Sequence, residues 1–435
     1  GTHAWRITCR IGSQVHGFLN VAKPNPKADA VTREVVWTLL VRILLIAAGF
    51  VSSIITARFL GPEGRGVFFY WTTLAAFAIQ FGNLGLHSRN TYFLAKGRAR
   101  LSALAANSLW VSLIGGGVLG GFLVLSLWLM DGATGDRWSL LLPALFLIPS
   151  GLYFLLGTNL LVAEGRIGEY NGFELANRYL GLAAIFFAAW YWRSPQALLV
   201  IMSVVAVLMC LPLYRRLRVL GGDGGGSFLL IREGFGYAMR AYLAAALGFA
   251  VLRLNTLLIE QYMDAATLGT WSIAAQLLDV IVVIPSTVAL VLLPRIMRSD
   301  QPYQLMQSQL RMVAIVLALV CAVAAWLGND VIMLVYGERF AGAYAMLLWG
   351  LPGIFALGLT SILSQYLASA GIPLALVWIW LTGLAAELAL AIWLIPSQGG
   401  VGAMMSLSAA YAVILGLVWI LAANHHSTQR KKVNA

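Results

Sequence analysis

Charge is what this sequence has least of. Aspartate, glutamate, lysine and arginine make up only 11% of its 435 residues, hydrophobic side chains make up 60%, and the mean hydropathy is +0.83. That balance is too apolar for a soluble globular domain, so water is not the main solvent of this chain. Cysteine is also scarce: Cys9, Cys210 and Cys321 are widely spaced, and two of them lie in apolar stretches, which excludes a disulfide framework. No Cys or His pair has metal-ligand spacing, and the adjacent His425 and His426 read as a solvated tail. There is no Walker A lysine motif and no nucleophile elbow, so neither an ATP site nor a cofactor is expected, and the chain is not read as an enzyme. Long polar stretches are missing as well, which leaves no room for an extramembrane catalytic domain.

What is present is a series of apolar stretches of roughly 20 residues, the length of helix that crosses a ~30 Å hydrocarbon core. About twelve occur, near 35–57, 66–88, 104–130, 139–163, 171–192, 195–214, 235–260, 266–294, 310–335, 343–367, 372–396 and 400–422. The fold class expected is therefore all-α and integral to a membrane. Net charge is +12, but the Lys and Arg are placed in a way that answers to a membrane, not to nucleic acid. Assigning the N-terminal tail and every second loop to one side gives that side 21 of them against five on the other, with Arg42, Arg178 and Arg253 inside spans. The positive-inside rule then places both termini in the cytoplasm, which requires an even number of spans.

A glycine-rich stretch, Gly221 to Gly226, follows Arg215, Arg216 and Arg218 and reads as a flexible linker. The expected organisation is a disordered cytoplasmic tail over 1–33, a six-helix bundle over 34–214, a cytoplasmic linker over 215–234, a second six-helix bundle over 235–422 and a cytoplasmic tail over 423–435. A faint internal echo supports two parallel halves: Gly49-Phe50 leads to Gly66-Val-Phe, as Gly248-Phe249 leads to Gly269-Thr-Trp. The glycine run Gly115, Gly116, Gly117, Gly120 and Gly121 lies within a span, where small residues allow helices to approach closely.

Charges inside spans are the informative residues, because an ionisable group facing lipid costs roughly 2.5–3.5 kcal/mol. Arg42, Glu174, Arg178, Arg253, Asp279 and Glu387 should all face inward. Glu174 and Arg178 are four residues apart and are expected to form an ion pair. Arg253, Thr256 and Glu260 make one polar stripe, and Ser272, Gln276 and Asp279 make another. These groups either pair off to hold the bundle together or line a water-filled passage, to which in-span prolines such as Pro149, Pro285 and Pro352 could add kinks.

Several segments carry a family resemblance. Ala57-Arg-Phe-Leu-Gly-Pro-Glu-Gly-Arg-Gly66 is followed by Phe81-Gly-Asn-Leu-Gly-Leu86 and Tyr92-Phe-Leu-Ala-Lys96. The second half has Leu268-Gly-Thr-Trp-Ser-Ile-Ala-Ala275, Leu293-Pro-Arg295, Tyr336-Gly-Glu-Arg-Phe-Ala-Gly-Ala343 and Gln365-Tyr-Leu-Ala-Ser-Ala-Gly371. In order and spacing, over about 33–422, these resemble the Wzx-type polysaccharide flippases of the multidrug/oligosaccharidyl-lipid/polysaccharide superfamily. The resemblance implies two six-helix lobes around a cavity that opens alternately to the two membrane faces. It also implies an undecaprenyl-diphosphate-linked oligosaccharide as cargo, for O-antigen, capsule or exopolysaccharide, carried across a bacterial inner membrane. Membrane lipids, a polysaccharide polymerase and a chain-length regulator are the partners expected with it.

A diphosphate calls for arginine, whose planar fork gives two aligned hydrogen bonds. Arg42, Arg178 and Arg253 are the candidate ligands, with Arg58 and Arg89 at the cavity mouths. Family members often carry Asp two positions after the residue matching Arg253, where this chain has Asn255. Asp279 is therefore the candidate for H⁺ or Na⁺ coupling or for pairing with Arg253, alongside Glu174 and Glu387 as coupling or ion-pair groups. Rival readings are a cation-coupled drug antiporter of the same superfamily, which would need an anionic cavity, and a membrane glycan polymerase or ligase, which would need a large periplasmic loop. A lipid II flippase would bring two further spans.

Overall fold

Hydrocarbon offers no partner for a free N–H or C=O, so an apolar chain has to close its backbone hydrogen bonds within each spanning segment, as a helix does. The computed structural model describes residues 26–131, 137–222, 224–227, 230, 235–371 and 374–434. Among them are eleven α-helices and no strand. In chain order these are α1 (Pro26–Gly82), α2 (Leu86–Ala95), α3 (Leu101–Asp131), α4 (Trp138–Ala163), α5 (Ile167–Tyr191), α6 (Pro195–Gly221), α7 (Phe235–Tyr262), α8 (Ala265–Met297), α9 (Pro302–Val335), α10 (Ala343–Ser369) and α11 (Leu374–Asn434).

α1 and α11 are each two spans joined at a sharp bend. Gly61 has φ 69° and Gly399 has φ 57°, a left-handed conformation that side-chain-bearing residues avoid. Pro62 then opens the second arm of α1, since proline is tolerated in the first turn of a helix. Among the described residues, nine helices are long and apolar enough to cross a membrane: α1, α3, α4 and α6 to α11. Counting both arms of α1 and α11 gives eleven spans, and α5, 25 residues long, is the twelfth. It is not among the nine apolar helices, and it carries Glu169, Glu174 and Arg178. The bundle's outer surface is apolar, as lipid requires, with Leu334, Trp326 and Trp393 all more than 70% exposed.

Within the first half, α4 packs on α3 and α6, and α1 on α5; within the second, α10 packs on α8, α9 and α11, and α7 on α11. The glycine run of α3 serves packing at two places, where a Cβ on Gly116 would lie 2.7 Å from Pro149 and one on Gly120 2.6 Å from Leu145 of α4. The seam between the halves runs mainly along α1 and α8. Its tightest point is the pair Gly66 and Gly269, the two residues of the internal echo. A Cβ on Gly66 would lie 1.8 Å from the Ala265 carbonyl oxygen, and one on Gly269 would lie 1.9 Å from that of Pro62.

Three segments differ from the sequence reading. Residues 26–33, expected to be disordered, already belong to α1, and 1–25 lie outside the described residues. The linker, expected from 215, starts only after α6 ends at Gly221. Its described part is docked: Asn107 of α3 donates through Nδ2 to Ser227 O (3.0 Å) and accepts through Oδ1 from Ser227 N (2.8 Å). A side chain at Gly224 would strike Ser102, which explains the glycine there. The C-terminal tail is a continuation of α11, on which His426 stacks at 3.7 Å on Tyr303 and His425 lies against Tyr366.

Candidate functional site

Helices of both halves enclose a cavity of about 480 Å³ on the Gly61 side of the bundle's middle. The first half contributes Ser52, Ser53 and Thr56 from α1's first arm, Arg65, Phe68, Phe69 and Thr72 from its second, Arg178 from α5 and Met202 from α6. The second half contributes Arg253 from α7 and Gln276, Asp279 and Val283 from α8. Helical spacing explains the convergence: Arg65, Phe68, Phe69 and Thr72 recur at three and four residues and so share one face, as do Gln276, Asp279 and Val283. A second cavity of about 280 Å³ lies within the first half, lined by Glu174, Asn177 and Arg178 and sharing Ser52, Arg178, Ile185 and Met202 with the first.

Arg253 donates through Nη2 to Asp279 Oδ2 at 2.6 Å, so these two predicted residues meet as an ion pair on the cavity wall. Arg178 lines both cavities and makes no hydrogen bond or ion pair with a described residue. The ion pair expected between Glu174 and Arg178 is not formed, although the two are within electrostatic reach of each other. Both side chains instead line the second cavity. Arg42 is exposed near Tyr170, on the side of the bundle that carries the linker.

Arg42 therefore lines neither cavity, and two more of the predicted ligands, Arg58 and Arg89, are also placed elsewhere. Arg58 is not at the cavity: it crosses to the second half and donates to the carbonyl oxygens of Leu334 and Val335, the latter at 2.8 Å, at the end of α9. A helix C-terminus leaves its last carbonyls unpaired and carries partial negative charge, which is what an arginine caps. Arg89 is buried in α2 against Asn90 and Phe93 and lines neither cavity.

Glu387 is fully buried inside the second half, away from both cavities. Its Oε1 accepts from Asn255 Nδ2 (2.7 Å), which also reaches Ala403 O (3.1 Å), and Ser406 Oγ donates to Asn255 Oδ1 (3.3 Å). The second oxygen, Oε2, is buried without a hydrogen-bond partner, which a carboxylate does not tolerate unless it holds a proton or faces a cation.

The residue that sequence reasoning missed is Arg65, counted there as a loop residue. It is 3% exposed, and its five N–H donors are all used. Nε donates to Ser272 Oγ (2.8 Å), Nη1 to Ser53 O (2.8 Å) and Thr56 Oγ1 (2.6 Å), and Nη2 to Ser53 Oγ (3.0 Å) and Gln276 Oε1 (3.1 Å). The available signal was Pro62: read as the first residue of a helix, it moves Arg65 from the loop into the first turn of the second span.

Contacts between the halves concentrate at the Gly61 end. Besides the Gly66–Gly269 approach, Arg58 and Arg65, they include Arg137 with Glu260 (3.5 Å) and Ser53 Oγ with Tyr336 (3.3 Å). Toward the linker end, Tyr242 of α7 donates to Phe81 O of α1 (2.8 Å).

A family model described as "Polysaccharide biosynthesis protein" matches residues 31–300. No protein of curated function matches the chain by sequence. Among solved structures, the fold is similar to a lipid II flippase in an inward closed conformation (TM-score 0.71, 13% identity, 90% of this chain and 87% of that one). It is likewise similar to a multidrug transporter in an inward-facing conformation (0.70, 13%, 89% and 96%). A transporter from Pyrococcus furiosus, described as having a binding pocket of reversed polarity, is also similar (0.61, 14%, 89% and 95%). The second and third are described as transporters of the multidrug/oligosaccharidyl-lipid/polysaccharide (MOP) superfamily, and the all-helical fold of this chain is like that of all three.

Proposed function

The chain belongs to the polysaccharide biosynthesis protein family, and on that premise we propose that it flips undecaprenyl-diphosphate-linked oligosaccharide units from the cytoplasmic to the periplasmic leaflet by alternating access. The observation that carries this reading is the charge of the cavity between the halves. Arg65, Arg178 and Arg253 line it, and Asp279, its one lining carboxylate among the described residues, is already paired with Arg253. A cavity with excess positive charge favours a diphosphate and disfavours the organic cations of a drug antiporter.

The loop charges support placing the linker end in the cytoplasm. The Gly61 end, where the halves are fastened together, then faces the periplasm, and the cargo enters from the cytoplasmic side. Moving one negative charge out of a negative interior gains roughly 2.3 kcal/mol per 100 mV, so the membrane potential itself favours export. Coupling to H⁺ or Na⁺ falls to Glu387, since Asp279 is engaged by Arg253. The glycan would pass on to a polymerase working with a chain-length regulator.

The test is a chromosomal deletion complemented with wild-type, Arg178→Ala or Arg253→Ala genes. The deletion should accumulate lipid-linked oligosaccharide, wild type should restore surface polysaccharide, and both variants should fail at normal protein levels. Unchanged polysaccharide in both variants would overturn the reading, and dye hypersensitivity of the deletion without a glycan defect would favour the antiporter.

A further inference from the structure

Arg65 is held by both halves at once. Ser53 and Thr56 of α1 take three of its hydrogens, and Ser272 and Gln276 of α8 take the other two. Every one of these acceptors is neutral. A guanidinium cannot shed its proton, so a full positive charge sits in the membrane-spanning region balanced only by dipoles. It lines the cavity, and it precedes Gly66, the point where the halves come closest.

We propose that Arg65 is the residue through which an anionic ligand unfastens the Gly61 end: the ligand's phosphate oxygens take the two donors that Arg65 gives to Ser272 and Gln276. The inference rests on the anionic lipid-linked cargo proposed above. A phosphate oxygen adds full charge–charge attraction and a second oxygen matched to the guanidinium fork, neither of which a hydroxyl or an amide carbonyl offers, so a diphosphate outcompetes both. The exchange strands no buried donor. Ser272 Oγ still donates to Gly269 O (2.6 Å), and Gln276 Nε2 keeps its bond to Gly49 O (3.0 Å) at the moment of exchange, a remaining tie between the halves that gives way only as they separate. Arg65 itself stays fixed to the first half through Ser53 and Thr56. What is lost is one of the polar ties across the seam, beside the glycine contact that has to open. A neutral oxygen gains nothing over Ser272 and Gln276 in this exchange and a cation is repelled by Arg65, so the same residue that opens the gate also restricts which cargo opens it.

The experiment uses the full chain in phosphatidylcholine nanodiscs, with Cys9, Cys210 and Cys321 replaced by serine. Spin labels are attached at Tyr191→Cys and Gln398→Cys, exposed positions of opposite halves at the Gly61 end. Undecaprenyl diphosphate should raise the ratio of long to short label distances by about fivefold or more, the low end of ordinary coupling between sites, and undecaprenol should not. Ser272→Ala, which removes a competing acceptor, should tighten undecaprenyl diphosphate binding. Gln276→Glu, which gives Arg65 a counter-ion across the seam, should weaken binding and suppress the distance change. Arg65→Met should abolish the response to the ligand. A merely structural Arg65 predicts no opposite shifts in affinity from Ser272→Ala and Gln276→Glu. Equal binding in those two variants, or a wild-type response in Arg65→Met, overturns the inference while leaving the cargo reading intact. Failure of undecaprenyl diphosphate to bind the wild type overturns both.

Discussion

Gly66 and Gly269 occupy equivalent places in the two halves, each near the start of its half's second span, and they touch each other across the seam. Such reciprocal contact is what a pseudo-twofold axis along the membrane normal produces, since each residue meets its own counterpart. Because the obstacle to a side chain is a carbonyl oxygen of the opposing backbone, no rotamer change relieves it. Gly66→Ala and Gly269→Ala should each cost about 1–3 kcal/mol, the usual range for forced overpacking, and should lower the thermal midpoint in detergent. Gly49→Ala is the control, with nothing within 4 Å of the added methyl, and should show no loss. Equal midpoints for all three variants would contradict the contact.

The pairing of Arg253 with Asp279 can be separated from its role in transport. Arg253→Asp or Asp279→Arg alone sets like charges where a 2.6 Å contact stood. The loss of stability should fall between the ~1 kcal/mol of an exposed pair and the ~3–5 kcal/mol of a buried one, because both side chains remain partly accessible. The double swap should regain the thermal midpoint yet fail to restore polysaccharide, since the cation has moved from α7 to α8. A double swap that restores export would show that only the pair, not its orientation toward the cargo, matters.

At the linker end, Glu169 accepts from Arg216 through Nε (2.7 Å) and Nη2 (2.8 Å) and from Arg166. The hydrogen bonds from Arg216 come first in holding its carboxyl down at about 2, against an opposing effect of burial, with Arg166 adding to the lowering. A carboxyl whose folded value lies below its ordinary 4.5 stabilises the fold above that pH and loses the effect as pH falls toward 2. The midpoint advantage of wild type over Glu169→Gln should therefore be constant from pH 7 to about 5 and shrink below about 4.5. An advantage that persists undiminished at pH 3 would show that the fork acts by packing and not by charge.

Arg58 fastens the first half to the C-terminus of α9 in the second. Arg58→Ala should cost about 0.3–2 kcal/mol, the range for a cation at a helix C-terminus, and Arg58→Lys should recover only part of it because one ammonium cannot reproduce the fork. Labels at Tyr191→Cys and Gln398→Cys should report more of the separated form in Arg58→Ala without any ligand. Unaltered distances would mean that the cap is incidental to closure.

The apolar spans were legible because hydropathy registers the solvent directly, and a lipid-facing residue such as Trp326 has no other partner to satisfy. Hydropathy does not register partners far along the chain. Arg58 looked like a cavity residue because the acceptors it serves lie more than 270 residues away, at the end of α9. The linker looked flexible because glycine content reads as freedom, whereas Gly224 is there to let the chain pass Ser102. Arg65 was lost to a loop because the apolar run begins after it, although Pro62 marks where the helix resumes. Pairing with Arg253 was one of the two roles open to Asp279, and the contact forms because a charge within a span has few ways to be satisfied.

Glu387 yields the sharpest test of coupling. Its Oε1 is held by Asn255 while Oε2, equally buried, has no partner, so the site is incomplete without a proton or a cation. Glu387→Gln keeps the shape and the Asn255 contact through its carbonyl oxygen, and it removes the ability to gain and lose a positive charge. The variant should fold with a thermal midpoint near that of wild type, because removing a buried charge offsets the cost of an amide N–H that finds no acceptor at the Oε2 position. Glu387→Ala should lose stability by about 1–3 kcal/mol, since it leaves Asn255 short of a buried acceptor. In proteoliposomes containing lipid-linked oligosaccharide, wild-type flipping should respond to an imposed H⁺ or Na⁺ gradient, and Glu387→Gln should flip at a rate that no longer depends on it. Gradient dependence surviving in Glu387→Gln would move the coupling site out of the second half's core and back to the cavity, where Asp279 is the carboxylate left to carry it.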